Sequence, residues 1–214
     1  MLIVLDGIDG AGKTTQTELL IKKLVKEKRA VATLDFPQYD RTFFGGMVKR
    51  FLKGEFGSIG KVDPRLASIL YALDRFEMKE TILKWLRQKK IVVLNRYTTS
   101  NLIHQGSKLP EKKRTDFAAW TEKMEYEIFG LPRPNIVFYL SLPHTLAYAL
   151  ITKRGKKKDI HEKNREHLNR AARYGLELAQ KKRWRIIQCN NGNILRTKEE
   201  IANLIWQNVS LKIK

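Results

Sequence analysis

The sequence predicts an α/β protein, a parallel sheet with helices on both faces, on three observations. Five short apolar runs rich in branched residues, at 2–5, 31–35, 91–94, 135–141 and 184–188, are separated by longer stretches with helical periodicity. The first run leads directly into a glycine-rich turn and then a helical stripe. The length, 214 residues, suits one domain with a sizeable core and is short for two, so a single domain over 1–214 is expected.

Taken in order, Leu2-Ile3-Val4-Leu5 is short, branched and apolar, as a buried parallel strand is. Gly7-Ile8-Asp9-Gly10-Ala11-Gly12-Lys13-Thr14-Thr15 follows, with the spacing of a phosphate-binding loop: glycine, four residues, glycine, lysine, threonine. The glycines let the backbone turn and bring successive N–H groups onto phosphate oxygens, and the opening helix adds its positive end. In such a loop the lysine reaches the terminal phosphates and the Thr14 hydroxyl sits on a magnesium ion. Leu19, Leu20, Leu24 and Val25 give the next helix its stripe. Further on, Leu66, Ile69, Leu70, Leu73, Phe76, Ile82, Trp85 and Leu86 predict one long buried helix over 65–86. Turn residues gather at 36–40, 54–60, 130–134 and 190–193. The basic cluster Arg154-Gly155-Lys156-Lys157-Lys158-Asp159 lies between helices and predicts a short lid within about 151–163. Phosphoryl transfer gains from cations that close over the transferring group.

Composition narrows the classes. One cysteine, Cys189, excludes a disulfide framework and a multi-thiolate metal site, and is expected in the core. No stretch has the length of a membrane span, and the amino terminus is a strand with acidic residues rather than a basic, apolar signal, so a cytoplasmic setting is expected. The net charge of +20, from 42 Lys and Arg against 22 Asp and Glu, first suggests nucleic acid. Yet the cations are spread along the chain, in Lys22-Lys23, Lys89-Lys90, Lys112-Lys113-Arg114 and Lys181-Lys182-Arg183, and most are expected to close helices, where they complement the dipole. The composition therefore reads as a lysine-rich surface around one anion-binding cleft, without a nucleic acid partner.

Several enzyme classes share a phosphate-binding loop, so the acceptor side has to decide. The guanine-reading Asn-Lys-x-Asp of GTPases is absent. Tyr71 and Arg75 share one helix face, a ring that can stack on a base beside a fork that can grip a phosphate. The same pair is also common on an ordinary helix surface. Arg96 follows the strand 91–94 at its carboxyl end, where ligands of parallel sheets bind. Tyr97-Thr98-Thr99-Ser100-Asn101 then offers hydroxyls to cap a helix and an amide to read a base edge.

Six pieces in order, GIDGAGKTTQ, DFPQYDR, LYALDRFE, NRYTTSN, FGLPRPN and KRGKKKDIHE, resemble the thymidylate kinases over nearly the whole length. The resemblance implies a P-loop NTPase fold with a five-stranded parallel sheet, a homodimer, and Mg2+-dependent transfer of the ATP γ-phosphoryl group to dTMP. By position, it implies that Lys13 and the 7–15 amides hold the ATP phosphates, and that Asp9, Thr14 and Glu162 lie around the metal, Asp9 also near the sugar. Tyr71 would stack on thymine, with Arg75 and Asn101 on its edge. Phe36, Tyr39, Ser100 and Arg96 would line the monophosphate site, Arg96 on the phosphate, and His104 and His161 would lie by the sugar. Ala11 leaves the loop without an arginine, so a catalytic cation is expected from the lid, Arg154 first and Lys156, Lys157 or Lys158 otherwise. No general base is required, because the acceptor is already an ionised phosphate.

Three residues depart from that family's pattern. Asn95 stands where Asp is usual, keeping an oxygen for the magnesium shell but losing the charge, with Asp6 and Asp9 close enough in sequence to compensate. Leu150 replaces an arginine that meets adenine. His104 replaces a Tyr or Phe that guards against a ribose 2′-hydroxyl, a space a neutral imidazole can fill. Two other readings stay open: a kinase of another nucleoside monophosphate or of deoxynucleosides, and a degenerate nucleotide-binding regulator.

Overall fold

The computed structural model describes residues 1–57, 62–155 and 164–213. Strands β1 (Leu2–Asp6), β2 (Val31–Asp35), β3 (Ile91–Asn95), β4 (Ile136–Ser141) and β5 (Arg185–Gln188) pair in the order β2-β3-β1-β4-β5, all parallel. The three central strands are buried throughout, which is why their sequences are unbroken apolar runs. Successive side chains go to opposite faces. Ile3, Leu5 and Val93 pack with Leu20 and Leu24 of α1 (Lys13–Lys26), while Leu2, Val4, Val92 and Leu94 pack with Ile82 on the other side. With β1 at the centre, its carboxyl end opens into the crevice where parallel sheets bind ligands.

The expected helix over 65–86 is two helices: α2 (Phe43–Lys53) is followed by α3 (Pro64–Glu77) and α4 (Lys79–Arg87), hinged at Met78. Neither Gly nor Pro marks the break. Met78 N–H bonds the carbonyl three residues back, a tightened turn that redirects the chain. The two halves have different partners, α3 packing on α2 and α4 on β3, and periodicity does not register a change of partner. After β3, α5 (Thr98–Ser100) runs into a π-helical turn at Asn101–Gln105, and α6 (Glu111–Glu122) into another at Lys123–Ile128. The remaining α-helices among the described residues are α7 (His144–Lys153), α8 (Arg165–Lys181) and α9 (Lys198–Ser210), and residues 190–195 fold into a small antiparallel hairpin.

The basic clusters divide. Lys22 and Lys23 lie inside α1, Lys23 in its last turn. Lys28, outside that pair, and Lys89 and Arg183, just beyond α1, α4 and α8, take left-handed backbone at φ 56, 57 and 55. Each closes its helix with the paired bonds of a cap usually built on glycine, as where Lys28 N–H reaches Val25 O and Arg29 N–H reaches Leu24 O. Lys112, Lys113 and Arg114 instead open α6, against the expectation for a basic cluster, because Pro110 immediately precedes the helix and starts it there. Cys189 is buried. No helix among the described residues is long and apolar enough to cross a membrane.

Candidate active site

The loop after β1 is held open for an anion. Gly10 sits at φ +81, and a Cβ there would meet the Ala147 carbonyl at 2.5 Å, so only glycine lets α7 close down on the loop. Gly12 precedes α1 with no side-chain cap, and the first turn of α1 holds no acidic residue, so its N–H groups face outward as donors. Lys13 folds back, its Nζ donating to the carbonyls of Gly7 (3.0 Å) and Ile8 (2.8 Å). Burial, with repulsion from Arg96, lowers its pKa to about 8 against the pull of Asp9, Asp6 and Asp35.

A fully buried carboxylate, Asp6, clasps this loop to the segment after β3. It accepts from the Gly7 N–H (2.8 Å), the Thr99 hydroxyl (2.5 Å) and the Ser100 hydroxyl (2.8 Å). Both its oxygens accept hydrogen bonds, and Ser100 turns its hydroxyl to Asp6. Asp9 is engaged as well, paired with Arg96 Nη2.

Asn95 itself donates from Nδ2 to Thr14 Oγ1 (3.1 Å), while its Oδ1 is buried with no hydrogen-bond partner. Beside it in register stands Asp35, which accepts a bond from Asn95. Partial burial raises the Asp35 pKa, opposed by Arg96, Asn95 and Lys13. The unpartnered Asn95 oxygen, the Thr14 hydroxyl and Asp35 form an all-oxygen donor set of the kind a hard divalent cation takes. Among the described residues no group of three or more His, Cys, Asp or Glu could hold a metal ion. Sequence reasoning missed Asp35; its signal was an acidic residue closing an apolar strand at the same sheet edge as Asn95.

On the acceptor side a cleft opens, lined by Phe36, Tyr39 and Tyr71 and by Arg75, Arg96 and Asn101. Arg96 has left-handed backbone, φ 65, and its Nη1 donates to His104 Nε2 (3.0 Å). A guanidinium only donates, so the His104 ring is neutral with its proton on Nδ1. Burial and the Arg96 charge hold the His104 pKa well below its ordinary value. Tyr71 meets Phe51 edge-on, ring centroids 6.3 Å apart. Arg75 is locked by Glu125: Nε donates to Oε2 (2.6 Å) and Nη2 to Oε1 (2.8 Å), both side chains buried. Asn101 Nδ2 donates to the same Oε1 (2.9 Å) and to the Ser68 carbonyl (3.0 Å). Glu125 was not legible as a site residue, since it reads as one more charge on a helical stretch.

Of the lid expected within about 151–163, only residues 151–155 are described. Arg154 is exposed at the end of α7, whose Ala147 and Ile151 lie against Gly10. Lys156, Lys157, Lys158, His161 and Glu162 lie outside the described residues. Leu150 is half-buried and packs against the main core.

The family model described as thymidylate kinase matches residues 5–201. A thymidylate kinase of Mycobacterium tuberculosis is 33% identical over 184 residues, covering 84% of this chain and 86% of that one. A probable thymidylate kinase of Methanocaldococcus jannaschii is 31% identical over 209 residues, 96% of this chain and 95% of that one. Among solved structures, the thymidylate kinase of Candida albicans shares the fold, with a TM-score of 0.78 at 20% identity over 99% of this chain and 91% of that one. The chain belongs to the thymidylate kinase family of ATP-dependent nucleoside monophosphate kinases.

Proposed function

We propose that this chain transfers the γ-phosphoryl group of ATP to dTMP, giving dTDP. The observation that carries the reading is the convergence of a phosphate-binding loop and an arginine-lined cleft on one sheet edge, where the charge on Arg96 is felt by Lys13. ATP phosphates lie on the loop amides and draw Lys13 off its two backbone carbonyls. The acceptor phosphate takes Arg96 from Asp9, and the freed Asp9 faces the sugar. Tyr71, Arg75 and Asn101 receive the base between Phe36 and Tyr39, and the neutral His104 fills the space beside the sugar. Since the acceptor is already ionised, the chain's work is positioning and charge neutralisation.

Mg2+, when bound, neutralises the donor's phosphate oxygens. The ligands this chain offers are the Thr14 hydroxyl and Asn95 Oδ1, with Asp35 alongside and, from the family resemblance, Asp9 and Glu162. The closing cation is expected from Arg154 first, or from Lys156, Lys157 or Lys158, and the family resemblance assigns His161 to the sugar. The reading includes, from the family resemblance, a homodimer, and a cytoplasmic setting where ATP is supplied.

A coupled ADP-release assay with ATP and Mg2+, offering dTMP, dUMP, UMP, dGMP and thymidine, tests it. Turnover is expected with dTMP, falling by about a thousandfold or more in Lys13→Ala. Nucleotide binding without turnover on any acceptor would overturn the kinase reading in favour of a regulator.

A further inference from the structure

We infer that Glu125 is the positioning residue that sets which base edge the cleft accepts, by fixing the polarity of both groups that face the base. The inference rests on the assignment of Arg75 and Asn101 to the base. An asparagine amide can present either its NH2 or its oxygen, and the two are nearly the same shape. Here both Nδ2 hydrogens are spent, one on Glu125 Oε1 and one on the Ser68 carbonyl. The only hydrogen-bonding capacity Asn101 has left for the cleft is its acceptor oxygen. Arg75 spends Nε and one Nη2 hydrogen on the same carboxylate, and what remains of its fork is donor only.

The cleft therefore offers one donor and one acceptor in a fixed order. An imide edge, C=O beside N–H as in thymine or uracil, answers both. The amino-pyrimidine edge of cytosine, NH2 beside a bare ring nitrogen, sets donor against donor and acceptor against acceptor. A carboxylate is the right group for this task, because it only accepts and so cannot let the amide turn over. Glu125 is completely buried, which keeps water from standing in for it. Both Glu125 and Asn101 lie in π-helical turns, each carrying one residue more per turn than an α-helix, a device that re-aims side chains at functional sites.

The test compares kcat/KM for dTMP, dCMP and the N3-methyl analogue of dTMP in the wild type, Glu125→Gln and Glu125→Asp. A glutamine can donate to the Asn101 oxygen and turn its NH2 toward the base. In Glu125→Gln, dTMP is expected to lose about 10- to 100-fold while its preference over dCMP and over the N3-methyl analogue shrinks by a similar factor. The KM for ATP should stay within about twofold, and Glu125→Asp should restore part of the preference. A merely structural role would lower all three acceptors together and leave the ratios intact, which would overturn the inference. If the wild type itself shows no preference for dTMP over dCMP, the base assignment falls instead. Should neither variant fold, the Asn101 NH2 pair in wild-type protein labelled with 15N-asparagine decides: slow exchange before nucleotide is added supports the fixed amide, and fast exchange overturns it.

Discussion

Two arginines line one cleft and are held in opposite ways. Arg75 is 2% exposed and grips with two nitrogens a carboxylate that is 0% exposed. Arg96 is 18% exposed and pairs through one nitrogen with Asp9, itself 19% exposed. Removing Glu125 from Arg75 would strand a buried charge, so that pair does not exchange partners. Asp9 can hand Arg96 to an incoming phosphate and be received by water, so that pair can. The difference teaches how one cleft divides its work between a cation built in to read and a cation poised to grip.

Breaking the gripping side should cost most in rate. Arg96→Ala is expected to lower kcat/KM for dTMP by about a thousandfold with little change in the denaturant midpoint, and Arg96→Lys to recover only a small part, since an ammonium lacks the fork. Breaking the reading side should cost most in stability. Arg75→Ala is expected to lose about 3–5 kcal/mol in urea unfolding because Glu125 is left buried and unpaired. Arg75→Met combined with Glu125→Leu should recover most of that stability and none of the turnover. Comparable stability losses in Arg96→Ala and Arg75→Ala would erase the distinction.

A smaller effect is expected at the metal edge. Asn95→Asp returns a carboxylate beside Thr14 and should lower the Mg2+ concentration for half-maximal rate by about 3- to 10-fold. No change there would mean that Asp35 already serves. Smaller again is a proton count. With a Lys13 pKa of about 8 in the free protein, half of the lysine is neutral at that pH, and nucleotide phosphates restore its charge. ATP binding should therefore take up close to half a proton near pH 8, more toward about pH 9, and almost none at about pH 7. Calorimetry in buffers of different ionisation enthalpy measures it, and proton release would reverse the sign.

The parts legible in the sequence are those whose physics is local. The strand runs, the loop from Gly7 to Thr15, and the placing of Arg96 at a strand's carboxyl end all follow from spacing over a few residues. The break at Met78 was hidden because both halves of the stretch keep the helical stripe while changing the surface they cover. Glu125 was hidden because its meaning comes from Arg75, 50 positions away, and from Asn101, 24 positions away. Asp6 was legible as an acid near the loop but not as a clasp, since its partners Thr99 and Ser100 arrive only through the pairing of β1 with β3.

The three helix ends closed by Lys28, Lys89 and Arg183 bear on the solubility of the whole molecule. A side chain with a Cβ in left-handed backbone costs roughly 1 kcal/mol relative to glycine. A cation at a helix carboxyl end regains about 0.3–1 kcal/mol from the dipole. The two nearly cancel, so the fold is close to indifferent between glycine and a cation at each of these positions. The charge they carry is thus free to answer to demands outside the fold, such as keeping a crowded solution of this protein dispersed, and glycine at all three would lower its colloidal repulsion while leaving the cleft untouched.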